Sequence, residues 1–387
     1  MQIRMIIQEM KDMAFKNNHY VPQFILRRFS EQLCTYNVRT KEYQTNQNTS
    51  AIFSNQEFYP VEIEKEFNRL IESPFASILN SKILKSKARS EIELTRKEVN
   101  IIKKFLLLEQ FRVFNINTVL SQDPKIASLI CPFNEKVIEH ETTQDRWLRN
   151  IRVILECSDL SHIQEHPLCT SEAYRWAQIY ACGYLAFWDS SYDGTEFIIS
   201  DIGMTSEVEE SYFTHGLEIE KKNYLAEQIN KHSQYNPAAS MAYINLLQNQ
   251  QNFHENFYMF SISKNRMIVV INPFFRLYTK REKFIEPNIW PSQIKDRRLF
   301  EKNISPKLPV VYGKPVFKDT DLFRYKIHSM KHEDIILVNI LMLDRIDTFL
   351  GFTSAQNVYE SVNAYMEWHK QRNIPPRNDY STLLNHF

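Results

Sequence analysis

The chain has 387 residues, 43% hydrophobic and 13% aromatic, enough apolar material for one large or two medium globular domains. Lys and Arg total 47 against 46 Asp and Glu, a formal charge of +1, so no global field draws in nucleic acid or membrane and any such surface is local. Only 6 glycines occur, with neither a P-loop nor a dinucleotide fingerprint, and no apolar run approaches the roughly 20 residues of a membrane span. In chain order, the first eleven residues read as a short helix or ragged start, because Gln8, Glu9 and Lys11 break the apolar pattern. Pro22 suits a helix start, so a helix is predicted from Pro22 to about Phe29. Leu33 to Val38 and Tyr43 to Asn46 flank a polar turn and predict a hairpin. Ile63, Phe67, Leu70 and Ile71 recur at helical spacing, with Pro74 kinking or restarting that helix. Thr95-x-x-Glu98 is a capping box that opens a strong helix through Val99, Ile102, Phe105 and Leu106. Asn134 is the predicted cap of a third helix, with Val137, Trp147, Ile151, Ile154 and Leu155 on its apolar side.

Beyond this helical half, Tyr184 to Trp188 and Glu196 to Ser200 predict a second hairpin around Asp193-Gly194. Ser206 to Glu210 reads as helical within a polar stretch that reaches Gln251. Phe257 to Ser263 and Met267 to Ile271 form a third hairpin, which should join the second in one sheet. Arg276 to Lys326 holds five prolines and predicts extended loops, and Ile335 to Leu350 and Ser354 to Trp368 predict two closing helices. The expected fold class is α+β, a helix-rich domain packed on a small mainly antiparallel sheet. Its parts are 1–60, 61–180, 181–330 and 331–387, joined in one compact unit. Five scattered cysteines without a Cys-x-x-Cys pair read as reduced thiols of a cytoplasmic protein.

The block His19-Tyr20-Val21-Pro22-Gln23-Phe24, followed by Arg27-Arg28-Phe29, concentrates aromatic and cationic residues at a helix start. His19 just before that start is a candidate base, ligand or donor, and Gln23, Arg27 and Arg28 are candidate anion-binding residues. The alternative is an anchor with Tyr20, Phe24, Ile25 and Phe29 buried. The same block resembles the opening of domain-of-unknown-function family 4238, which begins with His-Tyr-Val-Pro-Gln or His-Tyr-Val-Pro-Arg. Thr35-Tyr36-Asn37, Glu57-Phe58-Tyr59, Ile63-Glu64, Ile71-Glu72, Phe197-Ile198-Ile199-Ser200-Asp201, Ile271-Asn272-Pro273 and Asn339 are similar to later features of that family, in order. The resemblance departs after Asp201, where Ile202-Gly203 replaces the family's Asn-Pro. It implies one shared architecture, and its lack of a housekeeping assignment suggests an effector, as in bacterial antiviral defence.

Three constellations carry candidate chemistry. His162-x-x-Glu165-His166 has the order of inverted zinc proteases, but Pro167 stops the helix and no third ligand is marked, so a surface helix end is expected and no zinc. His328 and His332 read as a solvated helix start. Asp201, Glu220 and Lys222 resemble a PD-(D/E)xK nuclease pattern, in which Asp201 and Glu220 would hold Mg²⁺ and Lys222 would stabilise charge. His19, Arg27 and Arg28 could also converge with Asp201, Asn272 and Asn339 on a cleft suited to phosphoryl chemistry. The expected activity is metal-dependent phosphodiester hydrolysis of nucleic acid. The alternative is a non-catalytic module that binds nucleic acid or a partner protein, away from membrane.

Overall fold

The computed structural model describes residues 15–113, 133, 135–208, 255–271, 294, 296–300, 310–311 and 314–387. The chain enters through β1 (Phe15–His19) and α1 (Gln23–Leu26), the latter a single turn set up by Pro22 at φ −56° and shorter than predicted. β2 (Gln32–Asn37) and β3 (Glu42–Asn48) form the predicted hairpin, and β4 (Ser54–Pro60) returns to pair with β1. Then α2 (Val61–Phe67), a π-helical turn at Asn68–Glu72, α3 (Ser73–Ile78) and a second π-helical turn at Leu79–Ile83 run on continuously. Pro74 falls in the first turn of α3.

β5 (Glu91–Thr95) feeds α4 (Arg96–Val113) through the predicted capping box. The Glu98 N–H donates to Thr95 Oγ1 at 3.2 Å, and the Thr95 N–H donates to Glu98 Oε2 at 2.7 Å. α5 (Thr143–Glu156) opens on a box that the sequence reading passed over, Thr142 with Asp145, rather than on Asn134. Val137, expected on its apolar face, lies before the helix and is 87% exposed. α6 (Ser171–Cys182) completes the helical layer.

β6 (Tyr184–Asp189), β7 (Ile199–Ser200), β8 (Met204–Val208), β9 (Glu255–Ser263) and β10 (Arg266–Ile271) follow, then the short pair β11 (Val310–Val311) and β12 (Lys314–Pro315). β13 (Leu322–Ser329), α7 (His332–Arg345), β14 (Phe349–Phe352), α8 (Ala355–Arg372) and α9 (Ser381–Leu384) end the chain. A six-stranded sheet runs β5-β13-β6-β10-β9-β8, and a four-stranded sheet runs β3-β2-β14-β7. Within the larger sheet only β13 and β6 are parallel. The architecture is α+β.

Side-chain alternation explains the layering. Leu185, Phe187, Ile268, Val270, Tyr258 and Phe260 face one core with Phe75, Phe105, Trp147 and Ile154. Their alternates Ala186, Trp188, Met267, Val269, Phe257 and Met259 face a second core with Val338, Leu343, Val358 and Tyr365. The sheet is therefore covered on both faces, which is why Arg266–Ile271 is buried throughout.

Four expectations change. Tyr184–Asp189 and the segment ending at Ser200 are not a hairpin, because β6 has both edges occupied by β10 and β13, and β7 pairs instead with β14. The third hairpin does form, as β9 and β10 beside β6. Residues 204–208 are a strand paired with β9 rather than the start of a helix. The helix expected to reach Leu350 stops at Arg345, and the chain re-enters the smaller sheet at Phe349. Much of the expected loop region up to Lys326 lies outside the described residues, but 322–329 is a strand. Cys34, Cys157, Cys169 and Cys182 are free thiols. Among the described residues no helix is long and apolar enough to cross a membrane.

Thr142 is exposed, and its side chain accepts the Asp145 N–H at 3.1 Å. Thr142→Ala should lower the unfolding free energy by about 1 kcal/mol. The check is a lower urea midpoint at an unchanged slope.

Candidate functional site

Val21, Ile25, Leu26 and Phe29 are buried, and the Phe24 ring lies 6.2 Å from Phe75 and 5.9 Å from Phe105. The signature block is thus anchored on the helical layer, with Arg27 exposed and Gln23 and Arg28 half-buried. The anchor holds His19 at the end of β1, paired in register with Ser54. Its imidazole is half-buried, contacts the Ile52 carbonyl, and has a buried Nδ1 with no hydrogen-bond partner. Burial holds the ring below its ordinary pKa, against the opposing pull of Glu64 and Glu72, so it is neutral at pH 7.

The groups around it come from α2, the first π-helical turn and α4. Glu64 and Glu72 are eight residues apart, ~80° beyond two full α-helical turns. The residue absorbed by the π-helical turn between them cuts that offset to ~20° and returns both to one face. From α4, Arg112 is only 1% exposed and donates to Glu72 Oε1 at 2.5 Å and Glu109 Oε1 at 3.1 Å. Its guanidinium lies 4.0 Å from the centre of the Phe67 ring. Burial pushes the Glu109 carboxyl up to about 8, with Arg112 opposing and Glu72 and Glu64 assisting. At neutral pH Glu109 therefore keeps its proton while His19 lacks one, and both have Glu64, Glu72 and Arg112 as charged neighbours.

The turn after β7 borders the same corner. Gly203 has φ +65°, and a side chain there would meet Val21 Cγ2 at 3.4 Å and Glu109 Oε2 at 4.0 Å. Burial, then Asp201 and Asp347, push the Tyr20 phenol up, which sets the signature block beside Asp201. Asp201 acts as a clamp. Its Oδ1 accepts the Asp347 N–H at 3.3 Å, and its Oδ2 accepts the N–H groups of Thr348 at 2.6 Å and Phe349 at 3.1 Å. Burial raises this carboxyl to about 6 even though those three bonds pull it down. Asn339 is also structural: its Oδ1 accepts the Ile198 N–H at 3.2 Å, and its Nδ2 donates to the Glu196 carbonyl at 3.1 Å and Ser361 Oγ at 3.0 Å.

Glu220, Lys222 and Asn272 lie outside the described residues. Among the described residues no group of three or more His, Cys, Asp and Glu is arranged to hold a metal ion. His162 and His166 turn to different carboxylates, Glu165 at 3.0 Å and Glu156 at 2.9 Å. They sit on and just after a short 3-10 turn, Leu160–Glu165. His328 is buried on β13 while His332 starts α7, so these two do not share a helix start.

The chain matches the model of a protein family of unknown function, DUF4238, over residues 17–352. It belongs to that family. No curated protein and no solved structure matches it. The matched span contains the whole corner, and three positions that carried the DUF4238 resemblance, His19, Glu64 and Glu72, converge there on Arg112. Glu109 and Arg112 were missed by the sequence reading, although Glu109-x-x-Arg112 is a charged pair inside a run from Phe105 to Val113 whose only other polar residue is Gln110. Such a pair on a helix buried on several sides needs an internal partner, and that was the available signal.

The raised Glu109 pKa has a thermodynamic sign. A carboxyl at about 8 when folded and near 4.5 when unfolded stabilises the fold fully below about pH 4.5 and loses that contribution as pH rises through 8. Glu109→Gln should flatten the stability profile across this window, where the wild type declines by at most about 1.4 kcal/mol per pH unit. Urea unfolding at pH 5, 6.5 and 8 checks it, and parallel profiles for the two proteins would contradict a proton on Glu109.

Proposed function

We propose that this protein is a hydrolase of phosphodiester bonds in nucleic acid, with the His19 corner as its acid–base centre. The observation that carries the reading is a neutral imidazole with an unclaimed nitrogen, which shares the charged neighbours Glu64, Glu72 and Arg112 with a carboxyl that keeps its proton at neutral pH. Environments that push titratable groups away from their ordinary values are how active sites fix the protonation state each group needs. His19 takes the proton of the attacking water as the water oxygen bonds to phosphorus; the P–O ester bond breaks, and the leaving oxygen carries off the bonding pair and takes a proton from the imidazolium so formed. The proton on Glu109 removes a negative charge from the set around Arg112, and Arg112 opposes the two carboxylates, Glu64 and Glu72, that act on the imidazole, which eases the approach of an anionic substrate. Among the described residues the carboxylates do not form a metal-holding group, and Mg²⁺ enters as a variable of the assay.

A non-catalytic nucleic-acid-binding module is the second reading. It is favoured by Asp201, the expected metal ligand, whose oxygens are engaged with backbone N–H groups.

Purified protein incubated with single-stranded RNA, single-stranded DNA and duplex DNA, with and without Mg²⁺, should cleave at least one of them. His19→Ala should slow cleavage by about 10²–10⁴-fold at an unchanged melting temperature. Glu109→Gln, a neutral isostere, should keep most of the rate near pH 7. Binding without cleavage under every condition would replace the hydrolase reading with the binding module.

A further inference from the structure

A concave site, sharing no residue with the His19 corner, opens where β13 runs into α7. Its volume is about 810 Å³, within the range of small-molecule sites. Tyr192, on the loop after β6, stands at this site with 74% of its surface exposed, and the Arg89 guanidinium lies 4.7 Å from its ring centre. An exposed ring already paired with a cation is a stacking platform for a flat, electron-rich partner.

The wall supplies a second, independent observation. His328 lines the site, is only 7% exposed, and has an Nε2 with no hydrogen-bond partner. Burial first, and Lys326 next, hold its pKa down to about 4, so the ring presents a neutral donor and acceptor at pH 7. A neutral imidazole in a pocket wall suits a polar heterocycle better than a bare anion.

The charges narrow the ligand further. Four Arg and Lys line the site against three Asp and Glu, a surplus of one positive charge. Of the acids, Asp296 is bound to Arg298 at 2.5 Å, and Asp193 lies 3.5 Å from His332. His332 is held from both sides, by Thr195 Oγ1 at 2.8 Å and Glu360 Oε2 at 3.1 Å, and so shapes the rim. Lys331 is exposed at the start of α7. A surplus of one charge matches a single phosphate and does not match a polyphosphate or a long polyanion track.

We infer that this pocket binds a mononucleotide, its base stacked on Tyr192 beside Arg89 and its phosphate on the wall that carries Lys331. The inference does not depend on hydrolysis at His19. The full chain should be titrated calorimetrically with AMP, CMP, GMP and UMP, and with ribose 5-phosphate, adenosine and inorganic phosphate as partial ligands. At least one mononucleotide should bind with a Kd below about 1 mM, and the partial ligands should bind at least about tenfold more weakly, ribose 5-phosphate and inorganic phosphate for want of the stacked base and adenosine for want of the phosphate contact. Tyr192→Ala, at an exposed position, should weaken the nucleotide by about tenfold without changing the melting temperature. Lys331→Ala should weaken the nucleotide and leave adenosine unchanged, and His19→Ala should bind as the wild type does. No binding by any of the four mononucleotides at millimolar concentration would overturn the inference. So would equal affinity for inorganic phosphate, or a Tyr192→Ala variant that binds as tightly as the wild type.

Discussion

Arg112 sits almost fully out of water between two carboxylates, and the arrangement of the helical layer depends on that contact. A guanidinium in such a place is tolerable only if its charge is matched, and Glu72 from the first π-helical turn and Glu109 from its own helix do so. The match is inexact. Buried Glu109, half-buried Glu72 and nearby Glu64 outnumber one cation, and the low-dielectric surroundings resolve the excess by leaving a proton on Glu109. The cation thereby ties α4 to the segment after α2 and sets the electrostatics that His19 meets at the end of β1.

The same logic governs the opposite margin of the corner. Asp201 closes the turn between β7 and β8 by accepting three successive N–H groups ahead of β14, and the Asp201 N–H donates to the Phe349 carbonyl at 2.9 Å. This clamp lies just after the end of α7 and delivers β14 to the smaller sheet, between β2 and β7. A carboxylate used in this way holds the turn against Val21 and Glu109, so its contribution to the corner is one of position.

The six-stranded sheet is apolar on both faces. Its central strands bury side chains toward the helical layer and, one residue later, toward α7 and α8. Ionisable groups are admitted where a strand ends or a helix starts, as with the buried Asp189–Arg266 pair at 2.7 Å. The pocket beside His328 lies at such an end, where β13 stops and α7 begins.

Local chemistry was legible in the sequence. The capping box at Thr95, the β2–β3 and β9–β10 hairpins and the helices of the N-terminal half follow from spacing and turn residues, because each is decided within a few residues of chain. The resemblance in the His19 block extended this to a family. What the sequence could not decide was which strand takes which neighbour, since β6 and the Ile199–Ser200 segment read as partners until both edges of β6 are seen to be occupied. Nor could it decide which polar residues meet: Asp201 and Asn339 satisfy backbone and interior groups, while Glu109 and Arg112, inconspicuous in an apolar helix, join His19, Glu64 and Glu72. Burial and charge pairing are properties of residues brought together from distant parts of the chain, so the tertiary structure alone assigns them.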